Sequence, residues 1–220
     1  MTDFLRIPCL LIGYAIGCFQ SAYFVGKLVG GIDIRQHGSG NAGTSNVLRV
    51  LGNRAGGLVF ACDILKAVLA YFVCYFAFRP LPTAFPLLSL AGLYGGVGVL
   101  LGHNFPFFLK FRGGKGIASS IGLFLCADWR VALPVGILGL ILLAVFRYIS
   151  LTSLVIVLLF PIGLIITGAP LEAVILCGLA AVMAYVMHRQ NIVRLVKGNE
   201  RKLTFKNKAI IDTKKKVRGE

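Results

Sequence analysis

The sequence predicts an all-α fold: a polytopic integral membrane protein of about seven transmembrane helices, one of them short. Three observations carry this reading. Hydrophobic residues make up 57% of the chain and charged residues 14%, with a mean hydropathy of +0.84. A soluble domain of this size needs a far more charged surface. Apolar runs cover residues 5–29, 57–78, 85–108, 116–127, 131–148, 151–167 and 171–188, and most approach the ~20 residues an α-helix needs to cross the hydrocarbon core. The charges are divided unequally between alternate loops.

The first run is too long for the apolar stretch of a cleavable signal peptide, and further spans follow it. The fourth run, 116–127, is short and implies a tilted, bent or re-entrant helix. Gly13/Gly17, Gly92/Gly96 and Gly98/Gly102 have the small-xxx-small spacing that lets helix backbones approach in lipid. The six cysteines lie in or beside apolar runs without C-x-x-C spacing, so they read as packing residues. Residues 1–204 form one transmembrane domain on this reading, followed by a flexible basic tail at 205–220.

With seven crossings, one loop set holds Lys27, Arg35, Arg49, Arg54, Lys110, Arg112, Lys115, Arg147 and eleven basic residues from Arg189 onward. The other set holds only Arg6, Arg79 and Arg130. The positive-inside rule then puts the N-terminus outside and the C-terminus in the cytoplasm. The net charge of +15 follows from this sidedness and from attraction to anionic lipids and substrates, not from nucleic-acid binding.

Three polar segments fall on the basic side. The first contains Gly38, Ser39, Gly40, Asn41, Asn46 and Arg49. Its glycines free backbone N–H groups to face an anion, its neutral side chains add donors, and Arg49 offers a planar fork to phosphate. The second contains His103 and Asn104, then Arg112, Gly113, Gly114, Lys115 and Gly116. It reads as an anion cradle at a helix N-terminus. It is not a Walker A loop, since Leu109 and Gly116 stand where glycine and Ser or Thr are required. The third runs from His188 through Asn191 and Arg194 to Glu200; on a continued helix, His188, Asn191 and Leu195 share a face.

Asp63 and Lys66, three residues apart inside the second run, read either as a structural ion pair or as walls of a polar cavity under the loops. Ser150 and Ser153 either cap a helix or bind a phosphate. The three histidines have no metal-ligand spacing. Polar segments gathered at one membrane face, with no clear internal repeat, argue against a transporter or flippase of organic phosphates.

Together, GSGNAGTSNVLRVLG, GHNFPFFLKFRGGKG and HRQNIVRLVKGNE resemble the bacterial acyl-phosphate:glycerol-3-phosphate acyltransferase family in order and spacing. Thr44-Ser45 and Arg112 depart from the residues usual there but keep the chemistry. The resemblance implies a seven-helix enzyme of the bacterial inner membrane. It would move a fatty acyl group from acyl phosphate to the 1-position of glycerol 3-phosphate, giving lysophosphatidic acid and phosphate. It also implies that Ser39, Lys115, Ser153 and Asn191 hold the acyl phosphate, and that Arg49, His188 and the backbone at 113–116 hold or order glycerol 3-phosphate. Membrane lipids are the surrounding partner; no cofactor, metal, nucleic acid or obligatory protein partner is implied.

Overall fold

The structure, a computed structural model, describes residues 3–78 and 88–203. Arg79, the start of the third apolar run and the basic tail at 205–220 lie outside the described residues. The regular structure among the described residues is helical, with the α-helices α1 (Arg6–Gly17), α2 (Ser21–Gly30), α3 (Thr44–Leu51), α4 (Asn53–Ala77), α5 (Leu90–Asn104), α6 (Ile117–Ala127), α7 (Trp129–Phe146), α8 (Ile149–Ile166), α9 (Leu171–Met187) and α10 (Arg189–Val196). Four spans are long and apolar enough to cross a membrane, the first being α1 and α2 together over Arg6–Gly30; a fifth is reached by counting α9 with α10. At 15 and 11 residues, α5 and α6 fall short of that length, so helix length does not establish the expected seven crossings.

Lipid tails are as apolar as leucine, so close packing must hold the bundle together. The extensive α1–α5 seam shows how. A Cβ on Gly13 would lie 1.9 Å from the Gly95 carbonyl oxygen, and one on Gly102 would lie 2.2 Å from that of Tyr14. Gly13/Gly17 and Gly98/Gly102 therefore bring two backbones together as their spacing predicts. Gly92 and Gly96 instead receive the Tyr71 ring and the Leu123 side chain. The main core lies among α5, α6, α8 and α9, where Phe124 and Phe160 stack with ring centroids 3.9 Å apart.

Three breaks depart from the uninterrupted runs of the sequence. The first run splits at residues 18–20 because it contains a polar residue, Gln20, fully buried, whose Nε2 donates to the His103 carbonyl at 3.0 Å. Lys66 satisfies a carbonyl freed by the break, donating to Phe19 O at 2.9 Å. The third run ends as helix at Asn104, two residues before Pro106, and Phe107–Leu109 forms a separate 3₁₀ turn. The last helix does not continue through His188: α9 and α10 meet at 63°, so α10 turns across the end of the bundle. There it packs on α8 and α9.

Candidate functional site

The first polar loop is held from within. The Asn46 side chain donates to the carbonyls of Ile34 (3.0 Å) and His37 (2.9 Å) and accepts from the Ser39 backbone N–H (2.8 Å). Both amide hydrogens expected to meet a substrate are thus spent on the loop itself, which leaves the Ser39 hydroxyl at an exposed turn. Gly38 adopts φ +64°, and a Cβ there would sit 2.2 Å from Asn46 Oδ1. Gly40 is also left-handed, and Asn41 stands beside it, half-buried. The Arg35 guanidinium beside Asp33 (2.7 Å) holds that carboxyl below its usual range. The same guanidinium donates to Leu109 O at 3.2 Å, tying the first loop to the second.

The second loop doubles back on the end of α5. Gly113 N–H donates to Asn104 O (3.2 Å) and Gly114 N–H to His103 O (3.0 Å). A Cβ at Gly114 would lie 2.0 Å from His103 Nε2 and 2.8 Å from Ala42 O, so only glycine lets the two loops meet. This narrows the expected cradle: two of its amides are already engaged. Among the described residues the N–H groups of Lys115, Gly116 and Ile117, at the start of α6, have no hydrogen-bond partner and are the ones free for an anion. His103 and Asn104, expected to touch substrate, are buried behind the cradle. Arg112 is exposed at its rim.

The third segment meets the second through Lys115, whose ammonium donates to Asn191 Oδ1. Asn191 Nδ2 donates to Glu200 Oε1 at 2.6 Å, Ser150 Oγ donates to the same oxygen at 2.9 Å, and Arg194 Nε donates to Oε2 at 2.7 Å. Burial pushes Glu200 toward protonation, but the bonds from Asn191, Arg194 and Ser150 outweigh it and hold its pKa below the usual carboxylate value. Burial, reinforced by Arg194 and opposed by Glu200, pulls the Lys115 pKa down to about 8. Arg49 is lowered by burial and by Arg201, against the pull of Glu200. His188 is buried at the α9–α10 bend; its Nδ1 donates to the Ala184 carbonyl at 2.8 Å, which leaves Nε2 as the acceptor.

Of the residues singled out from the sequence, Lys115, Asn191, Arg194, Glu200, Ser150, Arg49 and His188 therefore share one electrostatic neighbourhood. Ser153 lies one turn along α8 from Ser150 and back-bonds to Ile149 O at 2.7 Å. Neither serine caps α8, since the N-cap is Tyr148. Three contributors were missed. Arg201 adds charge beside Arg49. Gln20 supports the second loop, and its isolation in an apolar run was the signal for it. Arg147 and Leu203 exchange bonds of 2.6 and 3.1 Å that pin the segment carrying Glu200.

Comparisons with known proteins place the chain in a family. The family model described as glycerol-3-phosphate acyltransferase matches residues 7–198. A glycerol-3-phosphate acyltransferase of Alkaliphilus metalliredigens (strain QYMF) is 42% identical over 199 residues, which is 90% of this chain and 96% of that protein. One of Clostridioides difficile (strain 630) is 38% identical over 203 residues, covering 92% and 98% of the two chains. The crystal structure of PlsY (YgiH), an integral membrane glycerol 3-phosphate acyltransferase, in its glycerol 3-phosphate form superposes with a TM-score of 0.76. It is 30% identical, over 92% of this chain and 96% of that one. The lysophosphatidic acid form of the same protein gives 0.74.

Proposed function

The chain belongs to the glycerol-3-phosphate acyltransferase family, and from that premise we propose that it transfers a fatty acyl group from acyl phosphate to the 1-hydroxyl of glycerol 3-phosphate. The products are lysophosphatidic acid and inorganic phosphate, at the entry to phospholipid synthesis. The enzyme is a multi-pass membrane acyltransferase. On the proposed reading it sits in the bacterial inner membrane with its N-terminus outside and its site facing the cytoplasm, the side on which the basic loops fall.

The observation that carries the proposal is the gathering of Arg49, Lys115 and Arg194 around one carboxylate, Glu200, beside unpaired amides at the start of α6. Such a site suits two phosphate groups. The glycerol oxygen attacks the acyl carbonyl carbon; that C–O bond forms, and the bond from the carbonyl carbon to the phosphate oxygen breaks. Phosphate leaves with the electron pair, and the hydroxyl proton passes to a phosphate oxygen of the donor. Lys115 and Asn191 hold the donor phosphate and stabilise the charge it gains. Ser39 and Ser153 add hydrogen bonds. Arg49, His188 and the second-loop amides orient glycerol 3-phosphate. His188 is oriented by a carbonyl rather than a carboxylate, which favours the substrate over the histidine as proton acceptor. Ser39 acts as a donor, not as a nucleophile.

The test is product analysis with purified protein and palmitoyl phosphate. Lysophosphatidic acid and phosphate should appear in equal amounts, without nucleotide or divalent metal, only when glycerol 3-phosphate is present. Use of acyl-CoA alone, or strict dependence on added Mg²⁺, would overturn the proposal.

A further inference from the structure

The bundle carries a second set of titratable groups that the reaction does not use. Asp63 and Lys66 on α4 and His103 on α5 are at most 5% exposed. Lys66 Nζ lies 2.9 Å from Asp63 Oδ1, 2.9 Å from Phe19 O and 2.7 Å from His103 Nδ1. Those three contacts use its three hydrogens. Ser21 Oγ donates to Asp63 Oδ1 at 2.7 Å, and Ser119 Oγ on α6 donates to the Asp63 carbonyl at 3.0 Å. Four elements are therefore joined at one point: the α1–α2 break, α4, the end of α5 and the first turn of α6.

An ammonium donates and does not accept, so His103 Nδ1 accepts and Nε2 carries the ring hydrogen. That Nε2 is the atom a Cβ on Gly114 would strike at 2.0 Å. The His103 carbonyl receives the Gly114 N–H at 3.0 Å. The imidazole is thus the floor of the cradle, and the next residue is Lys115. A well-packed apolar pair would hold four helices together as well as an ion pair does, so packing alone does not account for these groups. The last member of the network, His103, meets the loop that carries Lys115 through its ring, packed on Gly114, and through its backbone carbonyl, which accepts the Gly114 N–H.

We propose that Asp63, Lys66 and His103 are positioning residues that set the backbone of Gly113, Gly114 and Lys115 against a substrate phosphate. The proposal rests on the functional reading above. Its test uses the full chain in two variants: Asp63→Leu with Lys66→Met, which removes the pair without stranding a charge, and His103→Asn, which keeps an acceptor for Lys66 but removes the Nε2 floor. Hydrogen exchange at residues 111–118 should quicken by about tenfold or more in both, with the transmembrane segments and melting as in wild type. Should the double variant fail to fold, His103→Asn decides alone. The KM for one phosphate substrate should rise by about tenfold or more, with the other unchanged. Wild-type exchange at this loop would overturn the proposal. So would faster exchange spread across the helices with both KM values moving together. If the wild type makes no lysophosphatidic acid, the functional reading fails, while exchange still decides the role of the cluster.

Discussion

Among the described residues, the two ends of the helical bundle differ in how fully positive charge is matched. At the end where α1, α5, α7 and α9 begin, arginine is matched by carboxylate. Arg6 binds Glu172 at 2.7 Å, with Tyr94 on the same carboxylate at 2.6 Å, and Arg130 binds Asp128 at 2.7 Å. At the other end Arg35 is paired with Asp33, but Arg49, Lys115 and Arg194 surround the single carboxylate of Glu200. A matched pair is complete and has no need of a ligand. A cluster with excess cation, partly withdrawn from water, is stabilised by an anion brought from outside. The matched end locks helices; on the proposed reading the unmatched end receives phosphate.

Removing one charge from each end separates these roles. Lys115→Ala should insert and melt normally yet lose acyl transfer by about 10²–10³-fold, read as turnover beside detergent-state melting. Lys115→Arg should recover little, because a planar fork does not replace a compact ammonium. Near-wild-type turnover by Lys115→Ala would remove it from the site.

Gly114→Ala should cost about 10²-fold in kcat/KM, since its Cβ would meet His103 Nε2 at 2.0 Å and Ala42 O at 2.8 Å. Unchanged kinetics would show that the two loops need not touch there.

How much of this was legible in the sequence differs between the ends in an instructive way. The glycine spacing that seats α1 on α5, and the glycine, lysine and asparagine of the polar loops, are local patterns that report directly on backbone approach and anion chemistry. The partners were not local. Lys115 meets Asn191 across 76 residues and Ser150 meets Glu200 across 50, and no periodicity encodes such a pairing. The bend at His188 was hidden because the residues beyond it are helical again, and the break at Gln20 because apolar residues stand on both sides of it. Asn46 read as a substrate donor because residue type gives chemistry without direction; in the fold its amide faces inward.

A pH profile sharpens the contrast with a smaller effect. The Lys115 pKa is depressed to about 8, so the ammonium is present below that pH and lost as pH rises through it. The kcat/KM should therefore be level below about pH 8 and fall by roughly tenfold per unit above it. Arg194→Gln removes a cation that lowers this pKa and should move the fall to higher pH. A profile that Arg194→Gln leaves in place would assign the titration to another group.

Arg6→Gln should change least, with turnover within about twofold of wild type and a small loss in melting temperature, as befits a partly exposed ion pair. A large loss of turnover would mean that the matched end takes part in the reaction.

The sharpest test is the rise in melting temperature on adding glycerol 3-phosphate, a rise that reports binding to the folded state alone. Wild type and Arg6→Gln should show the same dose-dependent rise, and the double variant Arg49→Gln with Lys115→Ala should show none. A rise retained by the double variant, or lost in Arg6→Gln, would contradict the assignment of phosphate binding to the unmatched end.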